Sequence, residues 1–317
     1  MTDPRRDLLA EIAWLHHEYR LTQEEIARRL GVSRSTISRA LADAERLGIV
    51  QVVVTVPLPG EARLAADLGR ALGVTATVGM AADGESPMIA AARAAARLVE
   101  RLADAGPATL AVSWGRTLAA TARLVRPRAT RGIEIVDAVG HPGGQGLVPT
   151  VDVTRALAAA LAAPVTHVPA PAFVPAGPSH DALLASEPVA HALARARGAD
   201  VTLVSVGIVG DDSLLAAAGG VDRAQMEDLL GRGAIGEILG HFYDAAGHDV
   251  DVPGGGSIGL TLDDLRASRR VIAVAGGDAK AHALGAALAG GIVHELVIDD
   301  TIAEQLLGDA TLRRGAA

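Results

Sequence analysis

The chain has 317 residues, no cysteine and a formal net charge of −8 at pH 7. A single hydrophobic core rarely grows to this length, so a small domain joined to one of roughly 250 residues is expected. The lack of cysteine excludes disulfides, thiolate zinc sites and cysteine nucleophiles, and it is typical of a reducing compartment. The charged N-terminal segment and the absence of a membrane-length apolar run predict a cytoplasmic protein.

The negative charge is confined to the larger part of the chain. Residues 1–50 contain eight arginines and eight acidic residues, so their formal charge is zero. An acidic domain repels DNA, which leaves any DNA contact to the small N-terminal surface. A homo-oligomer, either a dimer or a tetramer, that carries several such surfaces is therefore expected.

Helical periodicity begins close to the N-terminus. Apolar residues at spacings of three and four predict a first helix over 5–19: Leu8, Leu9, Ile12, Leu15 and Tyr19. Thr22 and Glu25 have the spacing of a capping box, which predicts a second helix that extends to Leu30.

The residues that follow indicate a tight turn and a third helix. Gly31 can adopt the left-handed conformation that ends the second helix. Ser33 is the expected N-cap of the third helix, which extends to about Leu47. A core shared by these helices is predicted from five apolar positions: Ile26, Leu30, Val32, Ile37 and Leu41.

This arrangement is the pattern of a helix-turn-helix. Polar residues on the first turns of the third helix lie outside the predicted core and would face the major groove, while the start of the second helix would touch the DNA backbone. The candidate DNA-contacting residues are Gln23, Ser33, Arg34, Ser35, Thr36, Ser38 and Arg39. The alternative is an ordinary pair of helices with a solvated polar face.

A β-branched run over 50–56 predicts a strand, and Pro57 stops it. From Glu61 onward, short apolar strands alternate with alanine-rich helices, as in a parallel sheet covered on both faces. The predicted strands are 74–79, 108–113, 133–139, 165–168, 200–206, 270–275 and 295–298. The predicted helices are 87–104, 116–126, 152–162, 188–197, 222–230, 279–289 and 300–307.

The predicted fold class is therefore α/β with two domains. Residues 1–56 would form a three-helix, winged-type helix-turn-helix domain that binds DNA. Residues 57–317 would form a larger doubly wound, mostly parallel, Rossmann-like domain that binds an effector and oligomerises.

A candidate phosphate site follows the strand over 108–113. In Ser113-Trp114-Gly115-Arg116-Thr117, a strand leads into a helix, so hydroxyl and N–H groups would lie at a helix N-terminus, where anions bind. The alternative is that Ser and Thr are merely helix caps, because such turns often carry them.

The order of these segments resembles the SorC family of sugar-responsive regulators, whose effector domain is related to glucosamine-phosphate and ribose-phosphate isomerases. The resemblance spans nearly the whole chain. It rests on the helix-turn-helix and on five further segments: Ser113–Thr117, Val168–Pro171, Val206–Ile208, Ile235–Asp244 and Ala275–Lys280.

The resemblance implies a phosphorylated sugar or polyol as the effector. It implies that four residues hold the phosphate: Ser113, Gly115, Arg116 and Thr117. Gly207 would allow close approach of the backbone, Glu237 would accept hydrogen bonds from sugar hydroxyls, and Lys280, the only lysine in the chain, would supply a cation. A surface carboxylate at Glu237 and a solvated lysine at Lys280 are the alternatives.

The resemblance also implies residues that would set specificity, and it limits the chemistry of capture. Specificity is expected from four positions: Gly140, His141, Gln145 and Asp152. Some relatives bind their sugar through a Schiff-base lysine after the third strand, but residues 133–151 contain no lysine, so covalent capture there is excluded. The Gly254-x-Gly256-x-x-Gly259 sequence lacks a preceding strand, which argues against a dinucleotide site.

The predicted function is that of a transcription regulator that binds operator DNA and controls a sugar or polyol catabolic operon. In the simplest case it is a repressor, and a phosphorylated effector relieves the repression. Activation is a second possibility. An isomerase-like enzyme with an accessory DNA-binding domain is an alternative, but no Asp/His/Glu cluster of the isomerase kind is evident. A constitutive DNA-binding protein is another. Neither a metal nor a cofactor is expected, and no membrane partner is expected.

Overall fold

The computed structural model describes residues 4–50, 58–106, 108–143, 150–210, 213–217, 220–252 and 254–309. Contacts divide the chain into two compact units, Met1–Val56 and Pro57–Ala317. The strand predicted over 50–56 lies almost wholly outside the described residues, as does Gln145.

The N-terminal unit contains three helices, α1 (Pro4–His17), α2 (Gln23–Leu30) and α3 (Arg34–Arg46). They enclose a small apolar core, which consists of Leu9, Ile12, Ala13, Leu15, Ile26, Ala27, Ile37, Leu41 and Ala44. This confirms the predicted helix-turn-helix.

Three apolar residues that the sequence assigned to the apolar face of the first helix or to the shared core are exposed instead. Leu8 faces solvent because α1 turns Ile12 and Ala13 inward, against α3. Tyr19 lies beyond the end of α1 and packs edge-on against Trp14, with ring centroids 4.6 Å apart. Val32 lies in the turn after α2 and is also exposed.

The larger unit is built on a seven-stranded sheet. Its strands are β1 (Thr75–Gly79), β2 (Ala108–Val112), β3 (Ile133–Asp137), β4 (Val165–Thr166), β5 (Val201–Val204), β10 (Val271–Ala275) and β11 (Glu295–Asp299). They lie in the order β1-β11-β10-β5-β2-β3-β4, and every neighbouring pair is parallel. Leu110 and Val112 pack into the core on one face of this sheet, and Ala111 packs into the core on the other. The predicted doubly wound parallel sheet is thus confirmed.

Helices cover both faces of this sheet. They are α4 (Pro59–Leu72), α5 (Pro87–Asp104), α6 (Arg116–Leu124), α7 (Thr150–Leu161), α8 (Pro178–Ala185), α9 (Glu187–Arg197), α10 (Leu214–Ala217), α11 (Arg223–Gly231), α12 (Leu262–Ala267), α13 (Ala281–Ala289) and α14 (Asp300–Gly308), with a 3₁₀ turn at Asp278–Lys280. All seven helices predicted for this unit are present, and α5 has the predicted bounds. Four helices were not predicted from the sequence: α4, α8, α10 and α12.

A small antiparallel sheet, which was also not predicted from the sequence, lies beside the parallel one. Its strands are β6 (Gly207–Ile208), β7 (Gly236–Ile238), β8 (His241–Tyr243) and β9 (Asp249–Val250), paired in that order. Strands of two or three residues are too short to show an alternation of apolar and polar positions. The turn between β7 and β8 is formed by Leu239 and Gly240, which both have positive φ angles, 58° and 82°. This is typical of the tightest hairpin turn.

No helix among the described residues is both long and apolar enough to cross a membrane.

Candidate functional site

A cavity of about 300 Å³ lies at the carboxyl ends of β2, β5 and β10. Strands β2 and β5 are neighbours in the sheet. From β2 the chain continues to β3 on one side of this pair, and from β5 it continues to β10 on the other side, so the direction of winding reverses between them. Ligands of open α/β sheets bind at such a reversal. The cavity is lined by Trp114, Gly115, Arg116, Ser205, Val206, Gly207, Ile208, Ser213, Leu215, Glu237, Gly276, Gly277, Asp278, Ala279 and Lys280.

The N-terminus of α6 forms one wall of the cavity. Gly115 is its N-cap residue, with a φ of 140° that side chains rarely tolerate, and no side chain caps the helix. The first N–H groups of a helix have no partner within it and carry partial positive charge. Arg116 adds a full positive charge at the same wall. This wall is therefore suited to an anion.

Two residues predicted to contact the phosphate lie behind this wall and do not line the cavity. Ser113 is buried: its Oγ donates to the carbonyl of Trp114 at 3.0 Å and accepts from the Ser205 N–H at 3.1 Å. Thr117 is buried on α6, where its carbonyl accepts from the Thr121 hydroxyl at 2.8 Å. The Ser113 hydroxyl therefore joins the ends of β2 and β5.

Glu237, on β7, is a buried carboxyl in the cavity wall. One of its oxygens accepts a hydrogen bond from the N–H of Gly240, in the hairpin turn. Its other oxygen lies against Gly207, where a Cβ would come within 2.5 Å of it. Burial raises the pKa of Glu237 from 4.5 to about 7, although Gly240 and Lys280 oppose the shift. Near neutral pH this carboxyl can therefore both donate and accept hydrogen bonds.

Lys280 reaches the cavity from the 3₁₀ turn after β10. Burial and the nearby charge of Arg116 lower the pKa of Lys280, while Glu237 and Asp299 oppose the shift. The Asp299 carboxylate is already engaged with backbone N–H groups, including that of Gly277 at 2.8 Å. Two cations that repel each other across a cavity gain from an anion placed between them.

The structure therefore brings together five of the predicted effector residues: Gly115, Arg116, Gly207, Glu237 and Lys280. Gly140 and Asp152 lie elsewhere. Gly140 packs against the carbonyl of Ala170, where a Cβ would come within 2.5 Å, and Asp152 is exposed in the first turn of α7. His141 pairs with Pro171 in an isolated bridge and is also outside the cavity lining.

Sequence reasoning missed Ser205 and Ser213, two hydroxyl residues of the lining. Ser205 follows β5 directly, just as Ser113 follows β2. The feature that singled out Ser113, a hydroxyl directly after a parallel strand, is therefore also present at Ser205 and could have identified it.

A second cavity of about 670 Å³ lies near the β7–β8 hairpin. Its lining includes His180, His241, Asp249 and Asp251. Burial lowers the pKa of His241, and its Nε2 is buried with no hydrogen-bond partner. No group of three or more His, Cys, Asp or Glu side chains arranged to hold a metal occurs within the described ranges.

In the N-terminal unit, the caps place the polar residues of α3 on the surface. Thr22 and Glu25 form the predicted capping box, with the Thr22 N–H donating to Glu25 at 2.8 Å. The hydroxyl of Ser33 caps α3 through the Thr36 N–H and lies 2.8 Å from the hydroxyl of Ser35.

The remaining candidates for DNA contact lie around this cap. Arg34, Ser38 and Arg39 are exposed, and the Arg39 Nε donates to the Ser35 carbonyl at 3.2 Å. Gln23 is half-buried at the start of α2. Six of the seven candidates thus share one exposed end of α3, and the seventh begins the neighbouring helix.

Comparisons with known proteins agree with this organisation. The family model of a sugar-binding domain (Sugar-bind) matches residues 57–308, and the model of the MarR family matches residues 1–57. The transcriptional regulator LsrR of Enterobacter sp. (strain 638) is 29% identical over 308 residues, which are 95% of this chain and 93% of that protein. The erythritol catabolism regulatory protein EryD of Brucella abortus is 26% identical over 97% of this chain and 98% of that protein.

A solved structure extends the likeness to the fold of both units. The crystal structure of the full-length sorbitol operon regulator SorC from Klebsiella pneumoniae superposes with a TM-score of 0.70 at 27% identity. The match covers 96% of this chain and 100% of that one. The chain belongs to the SorC-type family of sugar-binding transcriptional regulators, in which a DNA-binding helix-turn-helix is combined with a sugar-sensing domain.

Proposed function

We propose that this chain represses a sugar or polyol catabolic operon and that a phosphorylated sugar or polyol, bound in the 300 Å³ cavity, relieves the repression. The observation that carries the proposal is the pair of cations beside a helix N-terminus in that cavity, whose lining also contains the acidic residues Asp278 and Glu237. The uncapped N-terminus of α6 and the side chains of Arg116 and Lys280 are all part of its lining. A dianionic phosphate is the group that such a wall attracts most strongly.

The remaining polar groups suit the hydroxyls of a sugar or polyol. Glu237 can accept from one hydroxyl and, when protonated, donate to another. A cavity of this volume is at the lower end of those that bind small molecules. The names of EryD and of the sorbitol operon regulator refer to erythritol and sorbitol, which supports a polyol or sugar as the class of effector.

The effector would act through the arrangement of subunits. The net charge of −8 arises outside residues 1–50, so the larger unit adds no attraction for DNA, and a subunit holds only one exposed α3 surface. Binding to an operator then depends on how two or more such surfaces are spaced in a homo-oligomer. An effector that favours one arrangement of the larger units changes that spacing and hence the affinity for the operator.

We also propose that the cavity binds its effector without converting it. Isomerisation needs an acid and a base placed at the reacting carbons. Three Asp–His pairs of the larger unit, Asp137–His167, His180–Asp181 and His248–Asp244, all lie outside the cavity lining. Glu237 and Lys280 are a titratable pair within it, and we assign them to holding the effector.

A thermal-shift screen of the full chain against matched phosphorylated and unphosphorylated sugars and polyols tests the effector. A ligand present at 100 times its dissociation constant adds about 2.7 kcal/mol to the free energy of unfolding. One phosphorylated compound should stabilise the chain, and its unphosphorylated form should not. Equal stabilisation by both forms, or conversion of the compound to a product, would contradict the proposal.

Fluorescence anisotropy with DNA from upstream of the chain's own gene tests the direction of control. The effector identified by the screen should weaken DNA binding. Tighter binding in its presence would show instead that the effector promotes occupancy of the operator.

A further inference from the structure

We infer that the hydroxyl of Ser205, rather than that of Ser113 or Thr117, contacts the phosphate of the effector. This inference rests on the proposed function, since it assigns a residue to the same cavity. It concerns the wall formed by the N-terminus of α6, for which the sequence predicted hydroxyl contacts from Ser113 and Thr117.

The Ser113 hydroxyl is already engaged. Its proton is donated to the Trp114 carbonyl, and its oxygen accepts from the Ser205 N–H. A serine hydroxyl has a single proton, so Ser113 can donate to a ligand only by breaking its bond to Trp114. Ser113 is also buried behind the wall and does not line the cavity.

The Ser205 hydroxyl, in contrast to that of Ser113, makes no hydrogen bond within the protein. Its Oγ is buried and has no hydrogen-bond partner, although Ser205 lines the cavity. A buried polar atom without a partner is costly, and such atoms are rare in folded proteins. A missing partner at the wall of a ligand cavity is explained most simply if the ligand provides it.

The position of Ser205 identifies which part of the ligand it would contact. A Cβ on Gly115 would overlap the Ser205 hydroxyl, so this hydroxyl lies directly against the N-cap of α6. An anion held by the first N–H groups of α6 and by Arg116 is then within reach of a rotation about the Cα–Cβ bond of Ser205. The Ser113 bond to the Ser205 N–H holds the backbone in place for this contact.

Thr202, on β5, offers a matched control three residues before Ser205. Its hydroxyl is also buried without a partner, but Thr202 does not line the cavity. Replacing Ser205 by Ala or Thr202 by Val removes one unpartnered hydroxyl in each case and nearly preserves the shape of the side chain. The two variants therefore differ in whether the lost hydroxyl borders the cavity.

The experiment titrates the full chain and the Ser205→Ala and Thr202→Val variants with inorganic phosphate, at constant ionic strength, by isothermal calorimetry. The same titration is repeated with the sugar phosphate that stabilises the wild type most. A hydrogen bond to a charged group stabilises by about 1.5–3 kcal/mol, so Ser205→Ala should lower both affinities by about tenfold to a hundredfold. Thr202→Val should bind both ligands as the wild type does.

Unfolding of the ligand-free variants separates ligand contact from a structural role. Because its hydroxyl has no partner in the protein, Ser205→Ala should be at least as stable as the wild type without ligand. Ser113→Ala, which loses two hydrogen bonds, should be less stable.

Three results would overturn the inference. Wild-type affinity in Ser205→Ala would overturn it and leave the proposed function intact. Equal losses of affinity in Ser205→Ala and Thr202→Val would do the same, because the effect would then not depend on the cavity. A wild-type chain that binds neither phosphate nor any sugar phosphate would overturn the inference together with the proposed phosphorylated effector.

Discussion

Two helix N-termini in this molecule are candidates for ligand binding, that of α3 for DNA and that of α6 for the effector phosphate, and they are built differently. At the start of α3, the Ser33 hydroxyl caps the helix, and the polar residues around it are exposed. At the start of α6, Gly115 provides no side-chain cap, and the helix end faces a cavity. At the capped end the Ser33 hydroxyl accepts from one backbone N–H, whereas at the uncapped end no side chain does so and the N–H groups are left for a ligand. A capped and exposed helix N-terminus suits contact with DNA, whereas an uncapped N-terminus at a cavity suits the binding of a small anionic effector.

The largest expected effect is the dependence of the free energy of unfolding on pH that is caused by Glu237, the buried carboxyl of the cavity. The folded chain holds the Glu237 proton up to about pH 7, while the unfolded chain releases it near 4.5. The free energy of unfolding should therefore fall by about 3 kcal/mol as pH rises between these values, and Glu237→Gln should remove this fall. Urea unfolding of both proteins from pH 4.5 to 8 measures it.

Glu100→Gln is the control of opposite sign. Burial of Glu100 favours its protonated form, but the hydrogen bonds from Arg126 outweigh this and lower its pKa. Glu100→Gln should therefore be less stable than the wild type at neutral pH, and the deficit should shrink as pH falls through the range in which Glu100 takes up its proton. The same trend with pH in both variants would contradict the assignment of a protonated Glu237.

A crossed pair of variants tests whether the two helix ends serve different ligands. Lys280→Ala removes a cation from the cavity and should weaken effector binding by roughly 1.5–3 kcal/mol while leaving operator affinity in the absence of effector unchanged. Arg39→Ala, on the exposed surface of α3, should weaken operator binding by about 1–3 kcal/mol and leave effector affinity unchanged. Calorimetry with effector and anisotropy with DNA measure the two affinities, and loss of both in either variant would contradict the separation.

The smallest expected effect concerns the caps themselves. Ser33→Ala removes the side-chain cap of α3 and should destabilise the N-terminal unit by about 1 kcal/mol. Ser86→Ala is the control, because Ser86 is the N-cap residue of α5 but makes no capping hydrogen bond with its side chain. Thermal unfolding should show a lower midpoint for Ser33→Ala alone. Equal shifts in both variants would indicate that the cap of α3 contributes nothing specific.

The helix-turn-helix was predictable from sequence because its signals are local. The Thr22–Glu25 capping box and the left-handed Gly31 involve residues three to six positions apart, and the structure has both. Val32 was predicted to lie in the shared core and is exposed instead. An apolar residue in the turn between two helices can face either the core or the solvent, and the packing of those helices decides which.

The sequence by itself determined the order of the parallel strands and of seven of the helices that cover them, and it identified Gly115, Arg116, Glu237 and Lys280 as candidates for the effector site. Periodicity and strand-to-helix turns depend on residues within short stretches of the chain, so they can be recognised without a structure. Only the tertiary structure decided which hydroxyl borders the cavity. Ser113 and Ser205 both follow parallel strands and are 92 positions apart. Their roles differ because one donates its proton to a backbone carbonyl and the other meets the bare N-cap of α6, and such pairing depends on contacts between distant segments.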